Sequence, residues 1–159
     1  MKKVFFIIAT LFILNITAEA QHALGVRLGG GSSYGAELSY QLPFSDRHRM
    51  EFDLGWNAYG KWHNASLAAV FHWRWNIVDA LDWYVGPGAM LSVYDLGHPK
   101  NEDEGFHRVG LGIGGQIGIQ YTFKVPVQLS LDARPIWNFL GYAKDWGSAA
   151  FSVRYAFGR

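Results

Sequence analysis

Apolar and polar positions alternate without a slip along 108–123 of the chain. Val109, Leu111, Ile113, Gly115, Ile117, Ile119, Tyr121 and Phe123 take the odd positions, and Arg108, Gly110, Gly112, Gly114, Gln116, Gly118, Gln120 and Thr122 the even ones. A period of two puts each set on its own face of a β-strand, whereas a helix would scatter both around its circumference. The same pattern recurs in segments near 22–29, 34–42, 47–57, 64–75, 81–94, 127–139 and 149–157. That predicts eight strands and no amphipathic helix between them.

Turn chemistry separates the segments. Gly30-Gly31-Ser32-Ser33 and Pro43-Phe44-Ser45-Asp46 punctuate the first half, and Lys124-Val125-Pro126 the second. Larger connections near 58–63, 95–105 and 141–146 carry more Trp, Tyr and charge. Two prolines fall inside predicted strands. Pro87 cannot donate to a ladder, so a bulge or local break is expected there, and Pro135 interrupts the seventh segment before Ile136.

An even number of antiparallel strands can close into a barrel, which removes both sheet edges. Side-chain volume decides which face lies inside. The apolar set includes Phe52, Trp56, Phe71, Trp73, Trp75, Trp83, Tyr121, Phe123, Phe151, Tyr155 and Phe157, and an eight-stranded interior cannot hold that many rings. Glycine, serine and alanine with a few long charged groups do fit. The fold predicted is therefore all-β, an eight-stranded antiparallel up-and-down transmembrane β-barrel with its apolar face toward lipid. Tyr40, Trp73, Trp75, Trp83, Tyr121, Phe123, Tyr155 and Phe157 are expected together at one rim, as an interfacial girdle.

With the phase carried through all segments, Arg27, Arg49, Arg74, Arg108, Arg134 and Arg154 point inward, with Glu37, Glu51, Asp53, Asp82 and Asp132. Charges in a narrow lumen must pair, because isolated ones are very costly to desolvate. A salt-bridged plug is expected, with a gated pore as the alternative. Gly110, Gly112, Gly114 and Gly118 are expected to leave room for arginines reaching across from opposite strands.

Composition adds the cellular setting. Lys2 and Lys3, the apolar run 4–16 and Ala18-Glu19-Ala20 form a signal peptide, so 1–20 is expected to be removed and 21–159 to form the barrel domain. Removal leaves 14 − 2 = 12 basic and 13 − 1 = 12 acidic side chains. Near-neutrality gives no electrostatic case for nucleic acid. Cysteine is absent, which excludes a disulfide framework and an acylated anchor.

These features, together with the closing Phe151-Ser152-Val153-Arg154-Tyr155-Ala156-Phe157-Gly158-Arg159, resemble the small outer-membrane β-barrel proteins of Gram-negative bacteria. The chain is most similar to the Bacteroidota-type outer membrane protein beta-barrel domain family. The resemblance implies a porin-like cell-envelope protein integral to the outer membrane, in contact with its lipid and lipopolysaccharide. It also implies that Tyr155 and Phe157 form the signal read by the barrel-insertion machinery, although Gly158 and Arg159 follow the final aromatic.

Enzymes exist on this scaffold, notably lipid A deacylases and acyltransferases, and need a histidine placed beside a serine. His63 and Ser66 are three apart, which on a strand sends them to opposite faces. His72 is expected to be a structural hydrogen-bond partner. His22, His48, His98 and His107 lie near strand ends or in loops, where solvation is the default. His98 with Glu102, Asp103 and Glu104 lacks a metal-ligand spacing. No catalytic residue, metal or cofactor is expected. A monomeric structural or surface-interaction protein follows, with a narrow pore, a hydrophobic-substrate conduit or a lipid A-modifying enzyme as alternatives.

Overall fold

The computed structural model describes residues 21–31, 35–59, 62–96, 107–140 and 147–158. The proposed signal peptide at 1–20, positions 32–33, 60–61 and 97–105 of the predicted loops, and all of 141–146 lie outside the described residues.

Nine strand segments follow one another: β1 (His22–Gly31), β2 (Gly35–Pro43), β3 (His48–Tyr59), β4 (Trp62–Val78), β5 (Leu81–Leu96), β6 (His107–Thr122), β7 (Val127–Arg134), β8 (Ile136–Leu140) and β9 (Ser148–Phe157). Each pairs antiparallel with its chain neighbour from β1 to β7, β7 pairs with β9, and β9 pairs with β1. The sheet therefore closes. β7 and β8 are two halves of one barrel strand, since both pair with β6 in the same register, Ile117 with Ala133 and Gly114 with Ile136. The wall thus has eight strands, as the alternation predicts.

The faces sort as expected. Leu24, Val26, Leu38, Leu54, Leu67, Leu91, Ile113, Ile117, Leu131 and Val153 are all exposed on the outside. Arg27, Arg49, Glu51, Asp53, Asp132, Arg134 and Arg154 are 4% exposed or less. A water-soluble protein shows the reverse, so the burial pattern itself requires an apolar medium outside. Val70, the apolar exception in its strand, is buried in the lumen with Ala23, Ala68 and Tyr84.

The start of β1 and the end of β9 share one end of the barrel with the compact turns 44–47, 79–80 and 123–126. The predicted rim aromatics gather at that end. Trp75 stacks on Trp83 at 4.6 Å, and Tyr121 meets Phe123 edge-on at 4.7 Å. His22 departs from the solvated reading: it lies between Tyr40 and Phe157, and Nδ1 is 2.9 Å from the Tyr40 hydroxyl. Its partner across the ladder is Phe157 of the last strand, so closure of the barrel buries it. His48 stacks on Phe71 and bonds to Ser45.

Pro87 causes no bulge. β5 runs through it, and Val70↔Gly88 and Trp73↔Val85 keep one register with β4. What lapses is the pairing between them, opposite Gly86 and Pro87. The register shift in this hairpin lies instead at Asn76/Val78, beside Asp79 with its positive φ of 44°.

Candidate functional site: a charge network across the lumen

Inward-facing polar side chains from eight of the strand segments, all but β8, meet in the middle of the barrel. Glu51 on β3 is the hub. One carboxylate oxygen accepts from Gln116 at 3.0 Å and Arg134 at 3.5 Å, and the other from Gln41 at 2.7 Å and Arg154 at 3.1 Å. All four acceptor positions of the carboxylate are used.

Around the hub, Arg134 also binds Asp53, the side chain of Gln116 and, at 3.4 Å, Glu37. Arg154 donates to Ser39 at 2.9 Å and Ser130 at 2.7 Å. Arg27 is held by Asp132 at 2.6 Å, Glu37 at 2.9 Å and Ser148 at 3.2 Å. These contacts join residues up to 121 apart in sequence, and those of Arg134 on β7 with Glu51 and Asp53 on β3 cross the barrel.

Arg49 is compensated differently. It contacts no carboxylate directly and donates to His72 Nδ1 at 3.1 Å, to Gln41 at 3.0 Å and to Gln120, while its guanidinium lies 4.6 Å over the Tyr84 ring. Gln41 links it to Glu51, since the same amide accepts from Arg49 and donates to Glu51. Four arginines thus balance Glu37, Glu51, Asp53 and Asp132, which lets the group exist in a dry interior. Glu37, with 21% of its side chain exposed, is the only one of these carboxylates that solvent touches appreciably.

Arg74 and Asp82 stand apart from this group. They face each other at 3.9 Å near the short-turn end, partly exposed, and Arg74 is bonded to the Asp46 carbonyl at 2.6 Å. The side chain of Arg108 lies outside the described residues, as do those of His63, His98 and His107. His72 is indeed a hydrogen-bond partner, but of Arg49 rather than of neighbouring Arg74.

At Gly112, Gly114 and Gly118 the atoms nearest an added Cβ belong to residues other than arginine. A Cβ on Gly118 would lie 2.6 Å from the Tyr84 hydroxyl, so that glycine makes room for a tyrosine. On Gly112 it would meet Ile136 Cγ2 at 2.8 Å, and on Gly114 it would strike the Pro135 carbonyl. β8 presses close enough on β6 that neither position admits a side chain. Gly110 is buried opposite Ser92.

Sequence reasoning did not assign Gln41, Gln116, Gln120, Ser39, Ser130 or Tyr84 to the network. All share the phase of the arginines, and that phase was the available signal. Tyr155 and Phe157 are exposed outward at the short-turn end.

Among the described residues of the network no serine is bonded to a histidine, and the Ser45–His48 pair lies apart from it in an exposed turn. Among the described residues no three His, Asp, Glu or Cys side chains form a metal-ligating group. Chemically it is a charge-balanced, multiply bonded group of side chains in the lumen.

No family model matches the chain, and no curated protein matches it. Solved structures do. Outer membrane protein H (OprH) of P. aeruginosa matches with a TM-score of 0.67 at 14% identity, over 87% of this chain and 100% of that one. The N-terminal β-barrel domain of Pseudomonas aeruginosa OprF gives 0.58 at 17%, over 86% and 97%. Neisserial surface protein A (NspA) gives 0.57 at 18%, over 86% and 95%. At these identities the likeness is one of fold. The chain has the fold of the small eight-stranded outer-membrane barrels.

Proposed function

We propose that this protein is an integral outer-membrane barrel that does not conduct, and that it acts structurally or by presenting its long-loop end to the outside. The observation that carries this is the buried partition around Glu51, in which Arg134 and Arg154 are 3% exposed or less and bonded from several strands at once. A conduit needs a hydrated path, and desolvated ion pairs of this density leave no room for one.

Location follows from the outer face. A continuous apolar band with an aromatic rim fits a bilayer, and the neighbours in fold are outer-membrane proteins. With both termini at the short-turn end, that end lies in the periplasm and the predicted loops face outward. Lipid and lipopolysaccharide are then the surrounding partners, the leader at 1–20 directs export, and Tyr155 and Phe157 are read during insertion. The likeness in pattern to the Bacteroidota-type domain family belongs to this reading.

Enzymatic function is not proposed, because His72 is bonded to Arg49 and the Ser45–His48 pair lies in an exposed turn outside the lumen network. Planar-bilayer recording of purified protein tests the main reading. Silence apart from rare transients is expected. Steady, ion-selective conductance from monomer would establish the pore instead, and a changed acyl pattern of lipid A in cells carrying the gene would establish the enzyme.

A further inference from the structure

The first strand begins at the closing seam of the barrel. His22 opposite Phe157 opens the ladder with β9, and Ala23 opposite Gln41 opens the ladder with β2. His22 is held there from three sides. Its ring stacks on Tyr40 and Phe157, Nδ1 lies 2.9 Å from the Tyr40 hydroxyl, and a Cβ on Gly158 would come within 3.3 Å of its Cδ2. Residue 22 is therefore pinned, and the residue before it stands just outside both ladders.

That residue is Gln21, half-buried at the short-turn rim. It directly follows Ala18-Glu19-Ala20, the small-x-small sequence at which the leader is expected to be cut. Cleavage there turns the backbone nitrogen of Gln21 into a primary α-amine. Such an amine titrates at about pH 8, so part of it is the neutral nucleophile at physiological pH. Glutamine is the residue whose carboxamide closes a five-membered ring on its own α-nitrogen.

The surroundings favour that closure. Continuing the two registers outward puts Gln21 opposite Gly158 and Pro43. Neither carries a carboxylate to pair with an ammonium, and a half-buried charge without a partner is costly. A neutral lactam removes the charge, and it gives up no ladder pair, because pairing starts at His22.

We propose that Gln21 is a modification site and that the mature protein begins with pyroglutamate. The α-nitrogen attacks Cδ of the same side chain. The N–Cδ bond forms, the Cδ–Nε2 bond breaks, and Nε2 leaves as ammonia with one proton from the amine. The nitrogen keeps its other hydrogen as the lactam N–H, and no oxidant, reductant or second substrate enters. A lactam offers no primary amine to an exopeptidase, so the cap shields the start of β1, where trimming would reach His22 and the seam with β9. The site rests on the reading of 1–20 as a leader cut before Gln21.

The test uses the full chain isolated from the envelope of the cells that produce it. Primary amines are blocked by reductive dimethylation before any digestion, so that ring closure during handling is not counted, and the N-terminal peptide is read by mass spectrometry. The expected peptide begins at residue 21, is lighter than the glutamine form by one ammonia and carries no label on its α-nitrogen. Gln21→Ala, which cannot cyclise, should begin at residue 21 with a labelled amine. A wild-type peptide beginning with labelled Gln21 would overturn the cyclisation and leave the leader reading intact. A wild-type terminus at any other residue would overturn the leader cut and the site with it.

Discussion

At the residue scale, the network ties individual side chains to stability. Glu51→Ala removes the shared partner of two buried arginines and leaves their charges uncompensated, a change that costs about 3–5 kcal/mol. Urea-driven unfolding from vesicles should show that loss, whereas Leu67→Ala on the outer face should have a much smaller effect. The glycines allow a second comparison. Gly112→Leu or Gly114→Leu would drive a side chain into β8, while Ile113→Val only trims a group facing lipid, so folded yield should fall sharply for the first two and little for the third. Equal yields would contradict the packing of β8 on β6. The inward face of Arg27, Arg49, Arg134 and Arg154 could be read from alternation alone. Their partners could not, because a period of two fixes direction but not reach, and Glu51 meets Arg154 only after the barrel closes. Tyr84 shows the same gap: its place in the lumen was legible, its fit against Gly118 was not.

At the element scale, of the bulge or local break expected at Pro87 the structure shows a break in pairing toward β4 and no bulge, and Pro135 interrupts its strand as expected. Register is kept through both, and each merely omits a donor. The pairs on either side of Pro87 and of Pro135 stay in one register, so neither proline inserts an extra residue into its strand. Pro135→Val should then stabilise the barrel by about 1 kcal/mol through one recovered backbone hydrogen bond. An increase in the urea midpoint measures this, and slower amide exchange at the residues facing Gly115 should accompany it. A decrease would mean that the proline supports the bend into β8. The break into β7 and β8 was itself legible, since Pro135 is the only residue of that segment unable to donate.

At the scale of the whole molecule, the claim is a closed wall with an apolar outside and a sealed, neutralised inside. Closure was legible because eight alternating segments and too many rings for the interior leave few other folds, and the structure closes β9 on β1 over ten residue pairs. What the outward loops contact was not legible, since it depends on chemistry beyond alternation. Closure predicts that unheated protein migrates differently from heated protein in a denaturing gel, and identical migration would count against it. Sealing can be probed more directly, because the chain has no cysteine and a single one can be placed at will. Ser152 is fully buried at the level of the network, and its hydroxyl makes no hydrogen bond there, so Ser152→Cys disturbs little. In vesicles, a water-soluble thiol reagent applied to either side should leave this cysteine unmodified until the protein is unfolded, while a cysteine in place of exposed Ser45 reacts at once when the reagent is on its side. Prompt modification at 152 in the folded protein would show a water path through the lumen and contradict the account.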